Sequence, residues 1–164
     1  MSDKSKVKLI PVFLSVVVIL LIGGVIFYLS LPVNKAEANI TLKHEDGAIV
    51  DLGRTVYAEN CASCHGVVLE GQANWRQRDV EGYLPAPPHD ERGHTWHHPD
   101  SYLFLMTKYG IEEMIGKSYP NNMPVFEDKL TDDEIIAALS YIKSTWSRRI
   151  QLKHDQINAR AKAH

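Results

Sequence analysis

The chain has 164 residues, 45% of them apolar, which is enough for one domain of ordinary size and an additional segment. Its formal net charge is −2 at pH 7, and residues 39–164 carry 14 Lys and Arg against 18 Asp and Glu. Nucleic-acid binding requires a basic surface, so this mildly acidic balance argues against a nucleic-acid partner.

An uncharged stretch of 23 residues near the N-terminus, Leu9 to Leu31, is the additional segment. As a helix rising about 1.5 Å per residue it would be about 34 Å long, enough to cross a hydrocarbon core of about 30 Å. Three lysines precede the stretch and only Lys35 follows it closely, so the positive-inside bias predicts a cytoplasmic N-terminus and an exported remainder. We therefore predict that residues 1–31 form a cytoplasmic N-terminus and one transmembrane helix.

A cleaved signal peptide is the alternative for this segment, because Ala36-Glu37-Ala38 has the A-x-A form of a cleavage site. The apolar stretch is much longer than the usual h-region of about 7 to 15 residues, which favours an uncleaved anchor. The polar residues 32–50 show no sustained helical period and are predicted to be a linker.

The string C-A-S-C-H, from Cys61 to His65, is typical of a c-type haem attachment site. Two thiols three positions apart can add to the two vinyl groups of one porphyrin, and His65 can bind the iron. The alternatives are a thioredoxin-like dithiol, which needs a βαβ setting, and half of a zinc site, which needs further ligands. Cys61 and Cys64 are the only cysteines in the chain, and neither alternative has its required surroundings.

Three helices are predicted around this motif. Asp51 is expected to cap the first, which would run through Tyr57 into the attachment site. The second would start at Pro99 and stop at Gly110. The last is indicated by a capping box, Thr131-Asp132-Asp133-Glu134, followed by apolar residues at helical spacing, namely Ile135, Leu139, Ile142 and Trp146.

Beyond Trp146 the last helix is expected to run on, with Ile150 and Ile157 covering apolar surface. The alternative for this region is a basic docking arm. The predicted boundaries are therefore a domain over residues 51–147 and a helical extension over residues 148–164.

Four histidines lie within ten residues: His89, His94, His97 and His98. Together with Asp90 they could bind copper or zinc. The other interpretation is that these side chains pack near a haem or bond its propionates, with His98 capping the helix that begins at Pro99. We favour packing.

These motifs resemble those of membrane-anchored monohaem cytochromes c of the class I family, over about Leu52 to Trp146. The resemblance implies an all-α fold in which the N- and C-terminal helices cross near the haem. Gly53 would permit this crossing because it has no side chain to hold the helices apart. Gly53 and Tyr57 on the first helix would then contact residues of the last helix, namely Leu139, Tyr141 or Ile142.

The resemblance also implies the cofactor and its ligands: one covalent haem c on Cys61 and Cys64, with His65 as one axial ligand. Met123, in Asn121-Asn122-Met123-Pro124, matches the family's second axial ligand, whereas Met106 and Met114 are expected to fill space in the protein. The alternative second ligand is a histidine from the segment between the attachment site and the second helix. The carbonyl of Pro87, or alternatively of Pro88, would hold the Nδ1 proton of His65.

A haem with both axial positions filled implies an electron carrier rather than an enzyme. The resemblance implies a bacterial inner-membrane protein with its haem domain in the periplasm. Its partners would be redox proteins: a quinol-oxidising bc-type complex, a terminal oxidase or another reductase. The alternative is a haem subunit or assembly partner of a larger oxidase or copper-handling complex, with the His89 to His98 loop binding a second metal.

Overall fold

The computed structural model describes Leu21 and residues 40–163 of the chain. Residues 40–163 belong to one compact unit that extends from Ala38 to His164. Within the described residues no helix is long and apolar enough to cross a membrane. The predicted transmembrane helix, Leu9 to Leu31, and the candidate cleavage site at Ala36-Glu37-Ala38 lie outside the described residues, apart from Leu21.

The described part of the chain is helical and contains no strand. The helices, in chain order, are α1 (Gly47–Asn60), α2 (Ala62–His65), a 3₁₀ turn (Thr95–His97), α3 (Asp100–Tyr109), α4 (Ile111–Ile115), α5 (Asp132–Ser144) and α6 (Arg148–Ala161). Long loops join α2 to the 3₁₀ turn and α4 to α5.

The first helix begins earlier than the sequence predicted. Asp46 is its N-cap, and the Asp46 carboxylate accepts hydrogen bonds from the amides of Ala48 (3.0 Å) and Ile49 (3.3 Å). The prediction that Asp51 caps this helix is therefore wrong, and Asp51 is an exposed residue within α1. Both aspartates could cap, and residues 47–50 contain no proline, so the helix can begin at the earlier cap despite Gly47.

Residues 40–50, which the sequence assigned to the linker, pack on the domain. Ile40 and Leu42 are buried in the apolar core. The Leu42 amide donates to Asp100 Oδ2 (2.9 Å), and the Lys43 amide donates to Ser140 Oγ (2.9 Å). The alternation of Ile40 and Leu42 was the available signal in the sequence. The hydrogen-bond partners of Leu42 and Lys43, however, lie 58 and 97 residues away.

The crossing of α1 and α5 forms the centre of the unit, as the resemblance implied. Gly53 lies against the main-chain carbonyl of Ala137, and the rings of Tyr57 and Tyr141 have centroids 5.5 Å apart. The apolar core around this crossing consists of Ile40, Leu42, Tyr57, Leu69, Leu103, Phe104, Phe126, Ile135, Leu139, Ile142, Trp146 and Ile150.

The helix ends were predicted with mixed success. The capping box of α5 is present: the Thr131 amide donates to Glu134 Oε2 (2.8 Å), and the Glu134 amide donates to Thr131 Oγ1 (3.3 Å). Gly110 ends α3 as predicted. Pro99 is the N-cap of α3 rather than its first residue, so His98 does not cap the helix.

The last helix does not run on past Trp146, contrary to prediction. Helix α5 ends at Ser144, where the Thr145 hydroxyl donates to the Ile142 carbonyl (2.7 Å), and Ser147 is extended before α6 begins. The break turns α6 back onto the domain, where Ile150 and His154 are buried. The C-terminal region is thus packed against the rest of the unit.

Candidate haem site

The two cysteines lie on one turn of helix. Cys61 is the N-cap of α2, and Cys64 lies within it, three residues on. Cys61 is half-buried and Cys64 is exposed. Burial, opposed in part by Lys129, raises the pKa of the Cys61 thiol to about 11. The Cys61 thiol therefore lies in an apolar environment, which suits the edge of a porphyrin.

The imidazole of His65 is buried and held by one defined hydrogen bond. Its Nδ1 lies 2.8 Å from the carbonyl oxygen of Pro87, and a carbonyl can only accept, so Nδ1–H is the donor. The predicted bond to Pro87, rather than Pro88, is present. Burial lowers the pKa of His65, which favours the neutral ring. Nε2 therefore carries the lone pair that can coordinate a metal.

The loop between His65 and Pro87 folds back to bring the two together. The Gly71 amide donates to the His65 carbonyl (2.8 Å), and the Gln72 amide donates to the Ala86 carbonyl (2.9 Å). Gly71 has φ +69°, and a Cβ atom there would overlap the backbone of Pro88. Glycine is required at this position because the backbone both takes a left-handed conformation and touches the proline stretch.

A second histidine stacks on His65. The rings of His65 and His89 have centroids 4.0 Å apart and planes 24° apart, and His89 Nδ1 lies 2.8 Å from Thr95 Oγ1. Burial lowers the pKa of His89 well below its usual value, and the neighbouring His65 and His94 add to this effect. Sequence reasoning placed His89 in the histidine cluster but did not anticipate this contact.

The other histidines of the cluster contact neighbouring aromatic rings, and the rings of His94 and His98 also meet edge-on, with centroids 5.5 Å apart. His94 stacks on Trp75 (centroids 5.6 Å apart), His98 stacks on Tyr102 (4.6 Å), and His97 lies against Trp96 (3.7 Å). Among the described residues, which include this whole loop, no group of three or more His, Cys, Asp or Glu could hold a metal ion. The hypothesis of a second metal in the His89 to His98 loop therefore gains no support from the geometry.

Met123 lies in the loop between α4 and α5, half-buried and packed against the apolar core. The Met123 amide donates to Asn121 Oδ1 (3.2 Å). Three residues on, the Phe126 amide donates to the Lys108 carbonyl (3.2 Å), which ties this loop to α3. Met106 and Met114 lie in α3 and α4 and are also half-buried. Ligation by Met123 thus stays a prediction.

The donor set suits a haem c. Cys61 and Met123 pack against the same core, and His65 is buried with its Nδ1 hydrogen-bonded. Thiols, an imidazole with a free Nε2 and a thioether are the groups that c-type haem uses. The sequence model of cytochrome c matches residues 50–146.

The chain belongs to the cytochrome c family. Membership implies that the chain carries covalently attached haem c and transfers electrons through it. No curated protein and no solved structure gives a significant match to the chain. A cytochrome c domain suggests an electron carrier. Attachment of the haem through the Cys61 to His65 turn stays a prediction.

Proposed function

We propose that this cytochrome c is a membrane-anchored periplasmic electron carrier with one haem c, ligated axially by His65 and Met123. It takes one electron at the haem edge and passes it on to another redox protein. When bound, haem c supplies the one-electron chemistry of its iron.

The observation that carries this proposal is the hydrogen bond from His65 Nδ1–H to the Pro87 carbonyl (2.8 Å). Such a bond fixes the tautomer, orients the ring and increases the basicity of the ligating nitrogen. The prolines around Pro87 hold the acceptor rigid, since their φ angles are fixed. His65 is thereby prepared as a permanent ligand, which suits transfer of an electron without chemistry at the iron.

The second ligand is supported by the position of Met123. A thioether raises the reduction potential of haem iron relative to a second imidazole. Met123 precedes Pro124, and the loop is held near the core by the Phe126 amide and the buried Phe126 ring. A methionine held in this way can close the second axial position against water and small ligands.

The cellular setting rests on the sequence. The uncharged stretch from Leu9 to Leu31 and the preceding lysines favour a retained anchor with an exported haem domain. The partners we propose are a quinol-oxidising bc-type complex as donor and a terminal oxidase or other reductase as acceptor. An intact mass that begins at Met1 in the membrane fraction supports the anchor, and a chain cleaved after Ala38 would contradict it.

Substitution of the second ligand tests the proposed ligation. In the full-length protein, Met123→Ala should abolish the near-infrared band of sulfur-ligated ferric haem and lower the reduction potential. Met114→Ala is the matched control and should keep both properties. If Met123→Ala keeps the near-infrared band, another residue is the ligand and the proposed ligation is wrong.

A further inference from the structure

The stack between His89 and His65 is not needed for attachment of haem and is not explained by the hydrogen bond to Pro87. The two rings are nearly parallel, with centroids 4.0 Å and planes 24° apart. Their distance is that of rings in direct contact. His89 therefore presents a flat face to the imidazole that we propose as an iron ligand.

His89 is itself held from several directions. Its amide donates to the Leu69 carbonyl (2.9 Å), and its carbonyl accepts a hydrogen bond from Trp146 Nε1 (2.8 Å). Its ring is bonded to Thr95 Oγ1 (2.8 Å), and Thr95 is buried in the 3₁₀ turn. The ring of Tyr57 meets it edge-on at 6.3 Å. The face that His89 offers to His65 is thus fixed by the fold.

One hydrogen bond does not define the plane of a ligating imidazole. The torsion that turns a histidine ring is broad, and a hydrogen bond tolerates a wide range of angles. The bond from His65 Nδ1 to the Pro87 carbonyl therefore restricts the ring of His65 to a range of orientations and does not select one of them. The rigid ring of His89, which lies nearly parallel to the His65 ring and against its face, reduces that range to one orientation.

We propose that His89 is a positioning residue, which sets the plane of the His65 imidazole by stacking on it. This inference rests on the proposed function, since it requires His65 to ligate the haem iron. Ligand orientation is one of the means by which a protein tunes a haem. His89 would therefore influence the electronic state of the iron without touching it.

The test compares His89→Leu with His89→Phe in the haem-loaded full-length protein. Leucine removes the flat ring, so the principal g values of the ferric protein and the order of its four haem-methyl NMR shifts should change. Phenylalanine keeps a ring but loses the bond to Thr95, so both spectra should shift in the same direction as in His89→Leu, but by less. His97→Leu is the matched control, because His97 is exposed and its ring lies tilted against Trp96 instead.

Thr95→Val provides a second route if His89→Leu does not fold. It removes the hydroxyl that holds the His89 ring while keeping the shape of the side chain, so both spectra should shift in the direction expected for His89→Leu. Unchanged g values and methyl shifts in His89→Leu, or in Thr95→Val if that is the folded variant, would overturn the inference. A wild-type protein without imidazole-ligated haem would overturn the proposed function itself, and the wild-type spectra reveal that separately.

Discussion

Gly53 of α1 lies so close to the main-chain carbonyl of Ala137 in α5 that a Cβ atom on Gly53 would overlap it. The same Cβ atom would lie 3.0 Å from Tyr141 Cβ. The two helices can cross only because α1 has no side chain at this point. The crossing contains backbone atoms of α5, which cannot move aside as the end of a flexible side chain can.

Gly53→Ala should therefore lower the free energy of unfolding. Overpacking costs about 1 to 3 kcal/mol, and the better helix propensity of alanine returns about 1 kcal/mol of this. Guanidinium unfolding of the full-length protein measures the net loss. The control is Gly47→Ala, since a Cβ atom at Gly47 meets nothing within 4 Å. Equal stabilities for the two variants would contradict the close crossing.

The packing of α6 can be tested at one buried residue. Ile150 is 2% exposed in the apolar core, whereas Leu152 on the same helix is 47% exposed. Ile150→Ala should lower the free energy of unfolding by about 2 to 4 kcal/mol, and Leu152→Ala by less than about 1 kcal/mol. Similar small losses for both would mean that α6 is a detached arm. Denaturant unfolding of the two variants decides between these outcomes.

Asp100 joins three parts of the chain at a buried site. Its carboxylate accepts hydrogen bonds from the Leu42 amide (2.9 Å) and from Asn158 Nδ2 (3.0 Å). Asp100→Ala should lower the free energy of unfolding by about 3 kcal/mol, since the Leu42 amide would be left buried without a partner. Asp51→Ala is the control: it removes an exposed ion pair with Arg54, which is worth less than about 1 kcal/mol. A loss at Asp100 as small as that at Asp51 would count against the contact.

Acidification should destabilise the domain through His154. The ring is fully buried, and its Nε2–H donates to the His98 carbonyl (2.9 Å). Burial lowers the pKa of His154 below the ordinary 6.5, although Asp100 opposes this shift. Because the unfolded chain binds this proton more readily, stability is fully present above about pH 6.5 and falls as the pH drops towards the folded pKa.

His154→Gln should reduce that pH dependence. Between about pH 7.5 and pH 5 the variant should lose less unfolding free energy than the wild type, since glutamine takes up no proton. A residual slope would remain, because burial also lowers the pKa of other histidines, among them His44 and His89. Denaturant unfolding at several pH values provides the measurement. A slope as steep as that of the wild type would show that His154 does not contribute.

Local patterns in the sequence predicted much of this structure. The capping box of Thr131 and Glu134 involves residues three apart, and Gly110 ends a helix by its own conformational freedom. The bond from His65 to Pro87 came from the resemblance to cytochromes c, because the two residues lie 22 positions apart and no local pattern joins them.

What the sequence did not predict depends on contacts between distant residues. The sequence around Leu42 has the polar composition of a linker, and only the hydrogen bond to the distant Asp100 shows that this segment packs on the domain. The helix break after Ser144 accompanies the bond from Trp146 Nε1 to the His89 carbonyl, across 57 residues. The stack of His89 on His65 likewise requires the loop to be folded. Periodicity and capping rules carry no information about such pairs.

Carbon monoxide binding to the reduced full-length protein tests the central claim most directly, namely that the haem carries electrons with both axial positions closed. We predict that the absorption spectrum of the reduced wild-type protein does not change when carbon monoxide is added, while that of Met123→Ala changes at once. Immediate formation of a carbon monoxide complex by the wild-type protein would show an open coordination position. It would contradict the assignment of this cytochrome c as a simple electron carrier.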